Sequence, residues 1–443
     1  MKRIQEIDFL RGFSILTMLF FHGSYYWASL PNKEQMTQML SNPFAGLALL
    51  LGKAAGIFAL ISGMSNAISM HHRLKSGKSK PKQIFLSGLI IGLWVIIIGK
   101  IQVSVFNHTL IGNAANPYPN GPPNYSLIVG SIETGTLQLP SIYTLLYKNT
   151  ALTAIGLSII VTGIILALLG LKEGYKKVKR NLIIIGITAT CIILLTDIMI
   201  KYLRPIWLDA YLNNKHLLGT FLGIFIGDSY PFFPFAGYAL YGAMFGIAFA
   251  ENLNKKKVIT TGMTAGGIYV ISGSILLAIL GNPPVETIFQ TLPMQWNYLQ
   301  IGVLIFISTL IFYVHYLKKE SRLKRVFQSR TIRRFGLLTL TIFVFEPLVG
   351  ATIKKLVLDP LFPNWSQYAY LAFGYGVALI FFWQGLLKML ERVQFKGTIE
   401  WLNGKITSVL TKRDASRLNI YKNLYGEEQD SKEEITKEFS KAS

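Results

Sequence analysis

Cysteine and charge are both scarce in this chain. Cys191 is the only cysteine among 443 residues and lies in an apolar run, which excludes an intrachain disulfide and a thiolate metal cluster. Charged residues make up 15% of the sequence, against about 25% in soluble proteins. The sequence also has no Walker, dinucleotide-binding or zinc-binding spacing. These absences argue against a soluble globular enzyme that binds a nucleotide or a metal through these motifs.

Long apolar runs fill the sequence instead, with 51% apolar residues and a mean hydropathy of +0.42. A helix needs about 20 apolar residues to cross a bilayer. The runs therefore predict an all-α polytopic integral membrane protein with about ten transmembrane helices, over 8–29, 45–70, 84–106, 149–170, 181–201, 218–250, 258–281, 298–317, 333–353 and 366–390. The sixth run contains Gly227, Pro231 and Pro234, which predict a short helix, a break and a full span.

The basic residues predict the orientation of these helices. Lys and Arg concentrate at the N-terminus and in alternate connections, at 73–82, 171–180, 254–257 and 318–334. Under the positive-inside rule, both termini are then cytoplasmic. The opposite connections hold few cations, namely Lys33, Lys148, Arg204, Lys215, and Lys354 with Lys355. Three N-x-[ST] sequons, at Asn107, Asn124 and Asn364, fall on the same external side. Because the net charge of +22 follows this topology and no aromatic-rich basic patch occurs, nucleic acid is not an expected partner.

We divide the chain into a transmembrane domain at 1–391 and a cytoplasmic C-terminal tail at 392–443. The tail ends in GEEQDSKEEITKEFSKAS, a polar composition that predicts partial disorder. We expect a multi-pass protein located in the plasma membrane, with membrane lipids as its neighbours. The sequence is compatible with a homodimer and does not decide the oligomeric state.

The first apolar run, DFLRGFSILTMLFFHGSYYW, contains ionisable residues that are costly in a membrane. Eleven residues make just over three helical turns, so Arg11 and His22 share one face about 16 Å apart. Asp8 lies three residues before Arg11, where it can pair with it. Arg11 is then near the cytoplasmic boundary and His22 lies deeper. Two interpretations stay open: an interfacial anchor with a packing histidine, or a site where His22, whose ordinary pKa is near 6.5, transfers a proton.

The segment IDFLRGFSILTMLFFH resembles the Arg-x10-His motif that begins the first span of the transmembrane acyltransferases. These include the acyltransferase-3 family and the family related to lysosomal heparan-α-glucosaminide N-acetyltransferase, whose bacterial and archaeal members it resembles most. Two later segments agree: GIFALISGMSNAIS at 56–69 is similar to an FxxxSGxSxxxS segment, and SYPFFPFAGYALYGAMFGI at 229–247 to a YPxxPWxGxxxxG segment. The resemblance covers more than half of the chain.

This resemblance implies an acyl-CoA-dependent O- or N-acyltransferase. An acyl group, most simply acetyl, would pass from cytosolic acyl-CoA to an extracytoplasmic carbohydrate or glycolipid, with no metal. Arg11 would hold a phosphate or pantetheine group of the donor. His22 would act as general base or as an acyl-accepting nucleophile. The sequence departs from the lysosomal enzyme, which uses a histidine between its first two helices, because residues 30–52 contain none. Amino-sugar specificity is therefore not carried over.

Five further polar residues are candidates for the site. Ser62, Ser65 and Asn66 form a polar stripe near the cytoplasmic end of the second run; they either join helices by hydrogen bonds or line the donor pocket. Asp228 precedes the break in the sixth run, where it would bind the acceptor, orient His22 or stay solvated. Glu346 lies inside the ninth run without a partner nearby in sequence, which favours a functional role.

One rival function stays open at this stage. Membrane carboxylates, a midplane histidine and an interrupted helix would also suit a proton-coupled transporter or flippase without covalent chemistry. No internal repeat is evident in the sequence, which weighs mildly against the common transporter architectures.

Overall fold

The computed structural model describes residues 4–25, 55–108, 125–227, 230–281, 293–317, 322–411 and 420–425. Helices account for the secondary structure of these ranges, which hold no β-strand, and the all-α prediction is confirmed. We number the helices in chain order: α1 Gln5–Tyr25, α2 Ala55–Lys75, α3 Pro81–Ile101, α4 Leu127–Thr134, α5 Ala151–Gly170, α6 Val178–Leu212, α7 His216–Ile226, α8 Phe232–Ala250, α9 Lys255–Leu280, α10 Met294–Leu317, α11 Arg322–Phe327, α12 Arg330–Leu337, α13 Thr339–Ile353, α14 Asp359–Leu361, α15 Ala369–Arg392, α16 Ile399–Thr411 and α17 Ile420–Tyr425.

Seven helical segments of the described chain are long and apolar enough to cross a membrane, and an eighth is formed if α12 and α13 count as one bent span. This confirms a polytopic membrane protein. Helices α1 and α2 have 21 residues each but are not among these seven, because their polar and ionisable side chains reduce their hydropathy. The total of ten spans and the cytoplasmic position of both termini stay predictions. The predicted break in the sixth run is confirmed, because α7 ends at Ile226 and α8 begins at Phe232.

Helix α8 lies at the centre of the bundle and packs closely against α2 and α6. A side chain added at Gly242 would place its Cβ 1.9 Å from the Leu60 carbonyl oxygen, and one at Gly246 would lie 2.4 Å from that of Met64. The two backbones therefore touch where only glycine fits, as the spacing of these glycines predicts.

Helix α1 makes a similar backbone contact with α12. A Cβ at Gly12 would lie 1.9 Å from the Ile332 carbonyl oxygen, and one at Gly336 would lie 2.0 Å from that of Asp8. The described part of the basic stretch predicted as a connection, 322–334, is therefore largely helical and packs on the first helix. Helix α13 follows α12 after a bend of 83° and also packs against α1.

The segment after α15 packs on the bend between α12 and α13. Phe395 is fully buried, and Arg333 donates to the carbonyl oxygen of Asn423 at 2.8 Å. The Glu400 carboxylate accepts from the backbone N–H groups of Leu340 at 2.5 Å and Thr341 at 3.1 Å, which caps the start of α13. The described part of the predicted tail is thus folded onto the membrane domain, while the boundary at 391/392 stays a prediction.

Candidate active site

Three ionisable side chains from distant parts of the chain meet inside the helix bundle. The Glu346 Oε2 atom lies 3.0 Å from His22 Nδ1 and 2.8 Å from His108 Nε2. The two imidazole rings meet edge to face, with centroids 5.1 Å apart. We call His22, His108 and Glu346 the buried cluster, because 1% of the Glu346 side chain and 5% of the His108 side chain are exposed. His22 is the accessible member, with 23% of its side chain exposed.

Helix contacts fix each member of this cluster. His22 lies in the last turn of α1, where a Cβ at the adjacent Gly23 would lie 2.8 Å from the Gly376 Cα of α15. His108 follows the π-helical turn Gln102–Phe106 that extends α3. The preceding carbonyl, of Asn107, accepts from the Ser126 hydroxyl at 2.7 Å. Glu346 lies in the middle of α13. The Tyr375 hydroxyl of α15 donates a hydrogen bond to the Gly350 carbonyl of α13 at 2.7 Å, which holds the two helices together.

The shared carboxylate oxygen sets the protonation pattern of both histidines. An ionised carboxylate only accepts hydrogen bonds, so each nitrogen facing Glu346 must carry a proton. In neutral imidazoles the lone pairs are then on Nε2 of His22 and Nδ1 of His108, an assignment that follows from the contacts. A histidine whose N–H is bound by a carboxylate is oriented and is a stronger base at its other nitrogen. Since His22 is the exposed member, its Nε2 is the atom suited to take a proton from a bound substrate.

The second oxygen of Glu346 is also informative. Its Oε1 atom is buried and has no hydrogen-bond partner among the described residues. A buried carboxylate oxygen without a partner is costly, by about 1–3 kcal/mol. The carboxylate is therefore held by the two histidines alone within the described chain, and its charge acts directly on them.

The same three side chains also form a donor set for a metal ion. One ligand atom from each lies within 4.8 Å of the others, and two imidazoles with one carboxylate are ligands typical of zinc or iron. In the structure, however, both nitrogens face a single oxygen at hydrogen-bonding distance. This geometry is that of a hydrogen-bonded triad, and the absence of a metal stays a prediction.

The predicted donor-side residues form a second polar group on α1 and α2. Arg11 Nη1 lies 3.7 Å from Asp8 Oδ1, the pairing expected from their spacing. Arg11 Nη2 donates to the Ser65 hydroxyl at 2.9 Å. Ser65 therefore joins α2 to the charged end of α1. Ser62 and Asn66 bond to each other within α2, the Asn66 amide donating to the Ser62 hydroxyl at 3.2 Å and to its carbonyl at 2.8 Å.

The structure thus unites some predicted residues and separates others. Glu346 meets His22, while Asp8 and Arg11 lie in the N-terminal half of the same helix α1, where Ser65 of α2 joins them. Asp228 lies outside the described residues, so its proposed part in the site stays a prediction. His108 is a member of the site that the sequence patterns above do not single out. Its signal in the sequence is weak: it is one of six histidines, follows an apolar run by two residues and is the middle residue of the Asn107 sequon.

Comparison with known proteins identifies a family. The model of the family described as "Heparan-alpha-glucosaminide N-acetyltransferase, catalytic" matches residues 3–280, more than half of the chain. The matched region includes Arg11, His22, Ser65 and His108, whereas Glu346 lies beyond it. A search of curated proteins gives no significant match.

Proposed function

We propose, because the chain belongs to the heparan-alpha-glucosaminide N-acetyltransferase catalytic family, that it carries an acetyl group across a membrane. Membership identifies a multi-pass membrane protein of an acetyltransferase family. Within that class, the proposed donor is cytosolic acetyl-CoA or another acyl-CoA. The proposed acceptor is a hydroxyl or amine of an extracytoplasmic carbohydrate or glycolipid, and the proposed location is the plasma membrane.

The observation that carries the proposal is the hydrogen bond between His22 Nδ1 and Glu346 Oε2 at 3.0 Å. It orients the imidazole of His22, the most exposed member of the cluster, and leaves the lone pair on Nε2 as the base. His22 would take the proton of the acceptor as its oxygen or nitrogen attacks the thioester carbonyl carbon. The C–S bond then breaks, and the proton held by His22 passes to the leaving CoA sulfur. Base catalysis of this kind contributes about 10²–10⁴-fold in rate.

Glu346 and His108 support this proton transfer without touching the acetyl group. The carboxylate would stabilise the imidazolium that forms on His22, as a buried acid does in other acyl-transfer sites. The 2.8 Å contact from His108 holds the same oxygen in place. We therefore assign His22 as the catalytic base and both other members as positioning residues. Direct transfer and a route through acetyl-His22 both remain compatible with this arrangement.

Arg11 supplies the donor side of the proposed reaction. It is on the same helix face as His22, and its guanidinium already joins Asp8 and Ser65. A guanidinium forms strong charge-assisted hydrogen bonds to phosphate. Arg11 and Ser65 would therefore contact a polar group of acyl-CoA entering from the cytoplasm. Ser62 and Asn66, which bond to each other, would line the wall of this entrance.

The rival function is a proton-coupled transporter without covalent chemistry, for which buried histidines and a carboxylate would also serve. Membership of an acetyltransferase family favours the enzyme. A transporter would leave the thioester of bound acetyl-CoA intact, whereas the enzyme would hydrolyse it slowly when no acceptor is present. This difference separates the two functions.

The test uses purified protein with radiolabelled acetyl-CoA, following both binding and release of acetate or transferred product. We expect His22→Ala to bind acetyl-CoA normally and to lose about 10²-fold or more in turnover. His216→Gln is the matched control, because His216 contacts the Tyr147 hydroxyl at 2.9 Å outside the cluster, and it should retain wild-type turnover. If the wild type neither binds nor cleaves acyl-CoA, the enzyme proposal fails. If His22→Ala equals the wild type, the assigned base is wrong.

A further inference from the structure

Lys148 differs from three other lysines that the structure describes on the predicted external side. Lys354 lies 2.9 Å from Glu133, Lys215 lies 2.9 Å from Asp209, and Lys355 lies 3.7 Å from the Asp359 that Lys354 also contacts. Each of these lysines thus has a carboxylate partner. Lys148 is half-buried, and its ammonium group has neither a hydrogen bond nor an ion pair with any described residue.

The surroundings of Lys148 add a second positive charge. The Lys100 ammonium donates to the carbonyl oxygens of Leu146 at 3.1 Å and Lys148 at 2.9 Å. Carbonyl partners satisfy the hydrogen-bonding groups of Lys100 but do not cancel its charge. Two lysines therefore lie on adjacent segments without a carboxylate bonded to either in the described structure. A half-buried ammonium without a carboxylate partner is a favourable partner for an anionic group.

This pair of lysines lies next to the buried cluster. The π-helical turn Tyr143–Tyr147, which precedes Lys148, packs against the turn Gln102–Phe106, which leads to His108. The charge of Lys148 is within electrostatic reach of the His108 ring. The lysines are also on the side of the bundle where α1 ends at His22, opposite to the Arg11 end. An anion bound at Lys148 would thus be near the proposed base and remote from the donor entrance.

We infer that Lys148, supported by Lys100, binds an anionic group of the acceptor, a phosphate or a carboxylate, beside His108. That the anion belongs to an acceptor rests on the proposed function. The anion site itself rests on Lys148, which has no carboxylate partner among the described residues. Lys148 would be the counter-ion of this group and Lys100 would fix the backbone that presents it. The phosphate could belong to a soluble sugar phosphate or to a lipid-linked sugar, because the ammonium would recognise both in the same way.

The experiment compares ligands that differ by one phosphate. Purified protein in nanodiscs of neutral lipid is titrated with glucosamine and with glucosamine 6-phosphate, without acetyl-CoA, by calorimetry. A second arm adds a polyprenyl-phosphate-linked sugar to the nanodisc as a competitor. We expect the phosphate to improve binding by about tenfold or more, the value of a charge-assisted hydrogen bond. Lys148→Gln should abolish this preference, and Lys148→Arg should keep most of it.

Lys215→Gln is the matched control, since it removes a cation that already has a carboxylate partner, and it should retain the preference. Competition by either phosphate source supports the inference, and the arm that responds identifies the source. Equal binding of both sugars by the wild type, or a preference that survives in Lys148→Gln, overturns it. Acetyl-CoA is then added to the same samples and transfer is measured. A phosphate preference without any acetyl transfer would leave the anion site standing and refute the proposed function. Transfer to both sugars without preference would do the reverse.

Discussion

Two of the sites where a histidine contacts a glutamate in this molecule differ in what else binds the carboxylate. In the buried cluster, Glu346 is 1% exposed and accepts from two histidines. Where α2 and α8 end, Glu251 is 14% exposed and lies 2.7 Å from His71 and 2.9 Å from Lys75. We call His71, Glu251 and Lys75 the Lys75 cluster. The histidine–carboxylate distances alone do not distinguish the two clusters.

The difference lies in which partner can release a proton. The Lys75 ammonium lies 2.9 Å from Glu251 and favours the ionised form of that carboxylate. In the buried cluster both partners of the carboxylate are imidazoles, and an imidazole gains or loses its proton near neutral pH. Because it contains the Lys75 cation, the Lys75 cluster is a structural ion pair that joins α2 to the end of α8. Without such a cation in the described structure, the buried cluster can accept and return a proton.

The largest expected effect comes from removing each carboxylate charge in turn. Glu346→Gln keeps the size and an acceptor oxygen but cannot stabilise a protonated His22, so we expect acetyl transfer to fall about 10²–10³-fold. Glu251→Gln should change the transfer rate by less than about twofold, because it lies outside the proposed machinery. Initial rates with radiolabelled acetyl-CoA measure both, and thermal unfolding shows that each variant is folded. Similar losses in both variants would mean that the two clusters do not differ as argued.

A smaller effect on acetyl transfer is expected from substitutions of His108. His108→Ala removes one of the two groups that hold Glu346, and we expect kcat to fall about tenfold with the KM for acetyl-CoA unchanged. His108→Gln should restore most of the rate, because its side-chain amide can donate from a position similar to Nε2. In the Lys75 cluster, His71→Ala and His71→Gln should have equal, near wild-type rates. Equal rates for the two His108 variants would show that the contact to Glu346 is unimportant for catalysis.

The sequence indicates His22, Arg11 and Glu346 as site residues but not the contacts between them. Helical spacing predicts that Arg11 and His22 share one face, and the cost of a carboxylate inside an apolar run marks Glu346 as a functional candidate. Their meeting could not be predicted, because His22 and His108 are separated from Glu346 by 324 and 238 residues. That approach depends on the bend between α12 and α13 and on the backbone contact of Gly12 with Ile332. Local patterns of charge and hydropathy do not encode such contacts.

The smallest expected effect is the pH dependence of the Lys75 cluster. Burial alone would raise the pKa of Glu251, but hydrogen bonds from Lys75 and His71 outweigh it and lower that pKa below its ordinary value of 4.5. The folded protein therefore binds this proton less readily than the unfolded chain does. The resulting stabilisation is complete above pH 4.5 and is lost as the pH falls through the lowered pKa.

Glu251→Gln removes this stabilisation at every pH, so its effect depends on pH in a defined direction. Near neutral pH the variant should unfold about 1–2 °C below the wild type, because a partly exposed ion pair contributes about 1 kcal/mol or less. As the pH falls below 4.5, the wild-type carboxyl also becomes neutral and the two unfolding temperatures should converge. Thermal scans of both proteins in one detergent measure the difference. A difference in unfolding temperature that stays constant down to the lowest pH would mean that the Glu251 charge does not stabilise the fold. The Lys75 cluster would then not be the structural ion pair inferred above.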